Sequence, residues 1–295
     1  MFFVTSIKLT GYKILNIFFG VLKVGLIAIL LAAFLRIFLL ASFSIPTLSM
    51  YPTIIDGDNI MVNKLVPGPR LFKSWGFLNG TDFSMRRLKG WREVKQNDIL
   101  VFNYPYSNWG TIGLDLNLFY AKRCVAIPGD TFYVDDGIYK IKGVTEPIGH
   151  LPSQQAVAQR PIEEFAESVF NCFPHNSILG WNIKNFGPLY VPGKNDIVGI
   201  DTMSILLYKG MIEYETNQKV TISEEKIFLD SNLIDTYTFK KNYYFMAGDL
   251  STDSQDSRYW GLLPEDHIVG KAFMVWKSKD LKTGKWRWKR FFKRI

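Results

Sequence analysis

Residues 119–130 read FYAKRCVAIPGD, and this stretch decides the fold class. Aromatic and β-branched residues are frequent in it, and a Pro-Gly pair ends it, which is typical of a β-strand that runs into a turn. Because side chains alternate across a strand, Tyr120 and Cys124 flank Lys122 on one face. Arg123 points to the other face. The stretch therefore predicts a strand with a lysine among apolar neighbours.

Lys122 on such a face has two interpretations. Spacing alone favours an edge-strand lysine whose amine reaches water. The other interpretation is a buried amine with a function, because lysine is almost never fully buried without a reason. Desolvation can lower a lysine pKa of ~10.4 by up to about 3–5 units. A shift of about 3 units costs the fold roughly 4 kcal/mol, and a neutral amine beside a serine is a general base.

Outward from this strand, the neighbouring stretches also favour β structure. NDILVFNYP (97–105), DNIMVNKL (58–65) and IVGKAFMVW (268–276) predict strands, the second by its alternation of polar and apolar residues. Residues 66–96 are rich in Pro, Gly and Arg, and they predict a loop with room for a hairpin. The sheet-forming stretches thus lie on both sides of a long central region.

That central region, residues 136–242, contains short strand-like runs between Asp-Gly and Pro-Gly turn pairs. One run within it, EEFAESVF (163–170), resembles a short helix. We interpret the region as an inserted β-rich subdomain. The sequence as a whole predicts a mostly β fold, with a main β domain built from 43–135 and 243–276 and the subdomain inserted between them.

Residues 17–40 are almost wholly apolar, interrupted by Lys23 and Arg36. About 20 apolar residues cross a bilayer, and the two cations can snorkel toward opposite interfaces. The segment predicts a retained, single-pass transmembrane helix. Because lysines precede it, residues 1–16 should stay in the cytoplasm and the rest of the chain should lie outside. A cleaved signal sequence cut near Ala41 is the alternative, but the small-x-small cleavage pattern there is poor.

The formal net charge of +8 could indicate nucleic acid, but much of the excess lies near the two ends of the chain. No nucleic-acid-binding motif is present, and cations beside aromatic residues are more typical of a membrane surface. We therefore expect membrane lipid, and no nucleic acid, as a partner. Residues 277–295, named here the basic aromatic tail, are either a lipid contact or a frayed, solvated end.

Cysteine and histidine patterns predict neither a metal nor a cofactor. Cys124 and Cys172 are the two cysteines, too few for a zinc site or a disulfide framework. A single bridge is compatible with an oxidising compartment, but we favour two unpaired, buried thiols. The three histidines show no metal-ligand spacing and no triad context, and we expect His267, in the segment PEDH, at the surface.

Ser49 is the candidate nucleophile, within IPTLSMYPT (45–53). Pro46 and Pro52 restrict the backbone on both sides of its hydroxyl, which suits the presentation of a nucleophile. Taken alone, a serine between two prolines is usually a loop serine. The other motifs of the chain change this assessment.

IPTLSMYPT, NDILVF, YAKRCVAIPGD and MAGDLSTDSQDSRYWGLLPEDHIVGKA follow one another along the chain. In these segments and in their order, the sequence resembles the bacterial type I signal peptidases (leader peptidases), which are serine proteases with a Ser-Lys dyad. The resemblance covers the apolar anchor, about 43–65, 97–135 and 243–276. It leaves out 66–96 and 136–242, where the family is known for insertions.

The resemblance implies that Ser49 attacks the scissile carbonyl and that Lys122 takes its proton. It also implies an oxyanion hole made by the Ser49 N–H and the Thr47 hydroxyl, and one such donor is worth ~10²–10³ in rate. The domain of 43–135 and 243–276 would then be the catalytic one. The implied pockets for small P1 and P3 side chains are lined by Phe43, Ile45, Met50, Ile54, Tyr120 and Ala121.

The last box implies the supporting residues. Ser254 would orient the Lys122 amine, and Asp256 with Arg258 would form a supporting ion pair. The sequence departs from the family where two asparagines usually stand, because it has Leu250 and Asp253 there. Any role of those asparagines is therefore in doubt.

The implied function is the removal of N-terminal signal peptides from exported preproteins after a small-x-small site. The implied location is the bacterial inner membrane, with the catalytic domain on its extracytoplasmic side. One alternative is a related Ser-Lys processing peptidase with a dedicated substrate. Another is a catalytically silent, membrane-tethered β-rich binding domain. The substituted asparagines favour this last alternative, whereas the presence of both Ser49 and Lys122 argues against it.

Overall fold

The computed structural model describes residues 2–72, 85–106 and 111–295, and it describes side chains from residue 16 onward within them. The helices are α1 (Phe2–Phe34), α2 (Leu151–Gln159), α3 (Glu167–Phe170), α4 (Ser204–Thr216) and α5 (Ser257–Trp260). The strands are β1 (Leu40–Ser44), β2 (Asp58–Asn63), β3 (Arg70–Phe72), β4 (Met85–Arg87), β5 (Ile99–Asn103), β6 (Phe119–Ala126), β7 (Thr131–Asp135), β8 (Ile138–Ile141), β9 (Phe186–Tyr190), β10 (Ile197–Gly199), β11 (Val220–Ser223), β12 (Lys226–Leu229), β13 (Asn232–Leu233), β14 (Thr236–Thr238), β15 (Tyr243–Ala247), β16 (Leu263–Pro264), β17 (Ile268–Ser278) and β18 (Lys293–Arg294). The prediction of a mostly β fold after one long N-terminal helix is confirmed.

The N-terminal helix α1 continues through one turn of π-helix, Leu35–Leu39, and ends where β1 begins. Its stretch Asn16–Leu39 has 24 residues and a mean hydropathy of 2.6, so it is long and apolar enough to cross a membrane. The predicted span, 17–40, ends one residue later than this stretch. Leu40 pairs with Asn63 of β2 and therefore belongs to the sheet.

The main sheet is antiparallel and has the strand order β1-β2-β17-β5-β6-β15-β16, with β18 paired to β17. Four of its strands, β2, β5, β6 and β17, lie in the segments where the sequence predicts strands. In β2, Ile60 and Val62 are buried and their neighbours are partly exposed, which is the alternation that the sequence shows. A hairpin in 66–96 is supported by the pairing of β3 with β4, while residues 73–84 lie outside the described residues.

The sheet curls until its first strand approaches its fifth. β17 has two bulges opposite β2, and bulges increase the local twist of a strand. As a result the ring centroids of Phe43 on β1 and Phe119 on β6 lie 5.0 Å apart, although three strands separate β1 from β6 in the sheet. A buried apolar cluster fills the curl, and it contains Ile45, Met50, Ile54, Ile60, Val62, Ile99, Val101, Val269, Ala272 and Val275.

Residues 131–242 form small antiparallel sheets and short helices. The sheets are β8-β7-β9, β10-β14 and β11-β12-β13. They share a core with the main sheet, because Phe132 of β7 stacks on Phe245 of β15 at 4.2 Å between ring centroids. The predicted helix at 163–170 is wrong in part: a 3₁₀ turn and α3 are separated at Phe165, whose backbone is extended and whose ring is buried.

The structure tests the predictions for the two cysteines and for His267. Cys124 and Cys172 are both buried and unpaired, as favoured by the sequence analysis. The surface position expected for His267 is wrong, since its side chain is fully buried. The imidazole is held between Asp266 Oδ1 (3.0 Å) and the carbonyl oxygen of Gly113 (3.1 Å), and these hydrogen bonds make its burial tolerable.

The basic aromatic tail is folded onto the domain, so the interpretation of it as a frayed end is wrong. β18 pairs with β17, and Arg290 Nη2 lies 2.5 Å from Asp58 Oδ2, a carboxylate that is fully buried. Arg287 forms a second ion pair with Asp280 at 2.8 Å. These contacts hold the segment, whereas the rings of Trp288 and much of the other aromatic surface there remain exposed.

Candidate active site

Ser49 lies in the turn between β1 and β2, partly exposed at the edge of the apolar cluster. Its neighbours Met50 and Ile54 are buried in that cluster. Hydrogen bonds from Tyr51 N to Leu48 O (2.8 Å) and from Ile54 N to Met50 O (2.9 Å) close the turn. Burial of the flanking residues therefore fixes the backbone around Ser49 while its hydroxyl stays accessible.

Lys122 lies on β6 opposite Leu100 of β5, and only 2% of the residue is exposed. Its amine therefore does not reach water, and the edge-strand interpretation is wrong. The amine Nζ lies 2.5 Å from Ser49 Oγ and is hydrogen-bonded to it. Burial lowers the pKa of Lys122 to about 8, against an opposing effect of Asp256. The structure thus joins a hydroxyl to an amine that is easily made neutral, as nucleophile activation requires.

Asp256 and Arg258 form a buried ion pair next to this site. Arg258 donates from Nε to Asp256 Oδ1 (2.9 Å) and from Nη2 to Asp256 Oδ2 (2.8 Å), and from Nη1 to the Ser251 carbonyl (2.9 Å). Burial alone would raise the pKa of Asp256, but the charge and hydrogen bonds of Arg258 hold it below its usual value. Both groups are therefore charged, and their predicted ion pair is present.

Gly248 connects the ion pair to Ser49. Its N–H donates to Asp256 Oδ2 at 2.9 Å, and a Cβ here would lie 2.6 Å from the Ser49 carbonyl oxygen and 2.1 Å from Ser254 Oγ. Ser254 is therefore close to the Ser49 peptide. Its buried Oγ makes no hydrogen bond with any described residue, so its role in orienting Lys122 stays a prediction.

A second network near the site was missed by the sequence analysis. Arg123 donates from Nε to Asp249 Oδ1 (2.7 Å) and from Nη2 to Asp249 Oδ2 (2.6 Å), and Thr53 Oγ1 donates to the same carboxylate at 2.5 Å. It links β6 to the turn after Ser49 and to the loop after β15. The alternation along the strand did predict that Arg123 lies on the opposite face from Lys122. The spacing of residues along the chain could not predict which residue binds it there.

A cavity of about 480 Å³ opens beside the Ser49 hydroxyl. Its lining is Phe43, Ser44, Ile45, Pro46, Thr47, Leu48, Ser49, Met50, Val101, Leu118, Phe119, Tyr120, Ala121, Lys122, Asp253 and Gln255. Five of the six predicted pocket residues are among them. Ile54 is the exception, and the prediction for it is wrong. The turn that closes on Met50 directs Ile54 into the core, where it is fully buried.

Thr47, the second predicted oxyanion donor, is exposed and lines the same cavity. The Ser49 N–H donates no hydrogen bond within the described part of the chain, so it is free to bind a substrate oxygen. Among the described residues, no group of three or more His, Cys, Asp or Glu side chains could hold a metal ion. The polar side chains at the cavity thus include the hydroxyls of Ser44, Thr47 and Ser49, the Lys122 amine, the Asp253 carboxylate and the Gln255 amide.

Comparison with known proteins identifies the family of this chain. Residues 18–277 match the family model described as signal peptidase, peptidase S26. The match covers most of the chain, so the protein belongs to this family of serine endopeptidases. The matched range includes most of the apolar span Asn16–Leu39 and strands β1 to β16.

Curated relatives agree with this assignment. The chain is 29% identical over 264 residues to signal peptidase I of Buchnera aphidicola subsp. Acyrthosiphon pisum (strain APS), covering 88% of this chain and 75% of that protein. It is 29% identical over 258 residues to signal peptidase I of Pseudomonas fluorescens, covering 83% and 67%. Signal peptidase I of Aquifex aeolicus (strain VF5) is 26% identical over 258 residues, with 85% and 80% covered.

Proposed function

We propose that this protein removes N-terminal signal peptides from exported preproteins, with Ser49 as nucleophile and neutral Lys122 as general base. The observation that carries the proposal is the 2.5 Å contact between Lys122 Nζ and Ser49 Oγ, made by an amine that is almost fully buried. Burial disfavours the ammonium form, and a neutral amine can accept the serine proton.

In the proposed reaction, Ser49 Oγ attacks the scissile carbonyl carbon while Lys122 Nζ takes the hydroxyl proton. The negative charge that develops on the carbonyl oxygen is stabilised by the Ser49 N–H and the Thr47 hydroxyl. When the tetrahedral intermediate collapses, the Lys122 ammonium returns the proton to the leaving amine. Water then attacks the acyl-enzyme ester while Lys122 accepts its proton, and Lys122 returns that proton to the departing Ser49 Oγ.

The supporting residues act by position and charge. The Asp256 and Arg258 charges cancel at close range, so the pair adds no net charge beside Lys122. We propose that Asp256 instead holds Gly248, and through it the loop that packs on the Ser49 peptide. Ser254, which lies beside that peptide, is proposed to orient the Lys122 amine when substrate is bound.

Two unpaired strand edges support an extended substrate. β1 is the terminal strand of the sheet, and β15 pairs with β6 only from Arg123 onward, so residues 119–122 have a free edge in the described structure. Both edges border the cavity at Ser49. A peptide inserted between them would add as a strand and alternate its side chains into the cavity. We propose that the cavity receives the small P1 and P3 residues of the cleavage site.

We further propose that α1 anchors the protein in the bacterial inner membrane with the catalytic domain on the extracytoplasmic side. The lysines that precede the span, Lys8 and Lys13, support an inside N-terminus. Ser49 follows the end of the span by only about ten residues, which at most ~3.3–3.6 Å each keeps it within roughly 35 Å of the bilayer. A preprotein held by its own apolar segment would reach the site at a matching depth.

A cleavage assay tests the proposal. Full-length wild type and the variants Ser49→Ala, Lys122→Ala and Lys122→Arg are incubated with a preprotein that carries an Ala-x-Ala site, and the shortened product is quantified. Each variant should lose more than about 10³-fold in rate, because a dyad fails when either member is lost and arginine stays protonated. Ser223→Ala, at an exposed serine on β11, is the matched control.

A residual rate of a tenth or more in the Ser49 or Lys122 variants, with unchanged folding, would refute the dyad. Several unrelated preproteins belong in the same assay. Cleavage of one of them alone would instead indicate a processing peptidase with a dedicated substrate.

A further inference from the structure

A second cavity, of about 710 Å³, lies where the membrane helix joins the β domain. Its walls come from the end of the helix, β1, β2 and β6, and most of the side chains that line it are apolar or small, including Ala32, Leu35 and Met61. Two cations, Arg36 and Lys64, stand among them. A largely apolar hollow with two positive charges is therefore placed beside the helix.

The two cations have no acidic partner within the described residues. Lys64 Nζ donates to the carbonyl oxygens of Arg36 (2.8 Å) and Ile37 (3.2 Å), and Arg36 is exposed and forms no ion pair with a described carboxylate. Burial lowers the pKa of Lys64, and the charges of Arg70 and Arg36 lower it further. Capping the end of the helix accounts for Lys64 but not for Arg36. The cavity thus has a positive charge that no described group neutralises.

The position of the cavity matches the headgroup region of a membrane. Arg36 is three residues from the end of the span Asn16–Leu39, where the hydrocarbon core gives way to lipid phosphates. The apolar wall extends from Leu35, next to Arg36, to Ala32, which is one helical turn closer to the bilayer centre, as the acyl chain of a lipid is relative to its phosphate. The cavity is therefore charged toward the membrane surface and apolar toward the bilayer centre, as a phospholipid is from its phosphate to its acyl chains.

We propose that this cavity binds one anionic phospholipid, with its phosphate between Arg36 and Lys64 and an acyl chain along Ala32 and Leu35. The proposal requires only that α1 lies in a membrane, and it is independent of the Ser49 mechanism. Phe43 and Phe119 line this cavity and the catalytic one. A bound lipid would therefore contact the entrance to the substrate cavity and help to set its depth relative to the bilayer.

Native mass spectrometry of the full-length protein tests the proposal. The protein is released from micelles that contain equal amounts of phosphatidylglycerol and phosphatidylcholine, and the retained lipid is counted. Wild type should retain one phosphatidylglycerol in preference to phosphatidylcholine. Arg36→Gln and Lys64→Gln should each lower that preference about fivefold, because one cation near a membrane surface is worth about that factor.

Matched variants separate a site from general charge and from damage to the fold. Lys23→Gln removes a cation from the other half of the span Asn16–Leu39 and should leave the preference unchanged. Arg36→Lys and Lys64→Arg keep the charge and should keep the preference, whereas Ala32→Trp keeps both cations, fills the apolar wall and should lower retention.

Three results would overturn the proposal. One is an unchanged preference in the Arg36→Gln and Lys64→Gln variants. Another is that soluble glycerol phosphate displaces phosphatidylglycerol as well as the lipid itself does, which would show a simple anion site without a role for the apolar wall. The third is that the cavity variants bind a signal peptide less well than wild type but retain lipid as wild type does, which would assign the cavity to the substrate. None of these results bears on cleavage by Ser49.

Discussion

Two buried basic side chains lie close to each other in this protein, and they are stabilised in opposite ways. Arg258 is fully buried and bonds both oxygens of Asp256 and the Ser251 carbonyl, so its charge is fully paired. Lys122 is almost as deeply buried, but its close partner is the neutral hydroxyl of Ser49. Asp256 raises the pKa of Arg258, whereas burial lowers that of Lys122.

The difference separates a structural charge from a reactive one. A buried charge with a bidentate partner keeps its protonation state and contributes to the architecture. A buried amine without such a partner loses its preference for the charged form, and the fold bears that cost of desolvation. The same environment therefore keeps Arg258 charged and leaves Lys122 able to act as the proposed base. Five predictions test this contrast.

The largest expected effect is on stability. Arg258→Met leaves the Asp256 carboxylate buried without its partner, and it should lower the free energy of unfolding by about 3–5 kcal/mol. Lys122→Met removes a desolvated amine, and it should leave that free energy unchanged or raise it by up to about 3 kcal/mol. Urea unfolding in detergent, followed by tryptophan fluorescence, measures both. Equal destabilisation by the two substitutions would contradict the contrast.

Gly248 contacts Asp256 on one side and the Ser49 peptide on the other, so Gly248→Ala should disturb the position of Ser49. A Cβ at this position meets Ser254 and the Ser49 carbonyl, and a shift of the nucleophile by about 1 Å can cost roughly 10²-fold in rate. The cleavage assay measures the loss. Gly199→Ala is the control, since a Cβ there has nothing within 4 Å. Equal rates for the two variants would show that the packing around Gly248 is not needed.

The pH dependence of cleavage reports the protonation of Lys122. Since the neutral amine is the proposed base, kcat/KM should rise about tenfold per pH unit below an apparent pKa of about 8 and level off above it. A series of rates across this range measures the profile. A rate that stays flat from about pH 6 to pH 10 would exclude a lysine base.

The same pKa predicts how stability depends on pH. The folded-state pKa of Lys122 is about 8, below the usual 10.5, so the unfolded chain binds more protons between these values. The lysine therefore destabilises the fold fully below about pH 8, and this penalty disappears as the pH rises toward 10.5. The stability difference between wild type and Lys122→Met should narrow over that window and remain constant below it.

The smallest effect is expected in the basic aromatic tail, where lysines and aromatic rings are exposed rather than buried. The basic aromatic tail exposes Trp288 and Phe292 beside several lysines, and we expect it to contact anionic lipid. Trp288→Ala with Phe292→Ala should weaken vesicle binding of protein lacking residues 1–39 several-fold, and more at low salt. Trp91→Ala, at a similarly exposed ring, is the control. Deleting the tail would be less informative, because Arg290 holds the buried Asp58.

Much of the molecule could be predicted from local patterns. The hydropathy of the first forty residues predicts a membrane-crossing helix. The alternation in 58–65 predicts strand β2, and the aromatic and β-branched residues of 119–126 predict strand β6. Ser49 and Lys122 were identified by motif. In each case the signal lies within a few residues, where backbone geometry and side-chain alternation act directly.

Interactions between distant segments were not predictable in this way. Arg123 and Asp249, 126 residues apart, bind each other, and His267 is buried against a carbonyl 154 residues away. Ile54 was expected in a substrate pocket and lies in the core. Each of these outcomes depends on which segments the curled sheet brings together, and the spacing of residues along the chain does not carry that information.

The sequence by itself determined the order of helix and strands and the chemistry available to the site, because composition and periodicity act locally. Only the tertiary structure decided that Lys122 is buried and that its amine reaches Ser49, 73 residues earlier in the chain. That distance depends on the bulges that curl the sheet and on the apolar cluster that seats Met50 and Ile54. The reactivity proposed for Lys122 is thus a property of packing, since desolvation exists only once the neighbouring strands have closed around the amine.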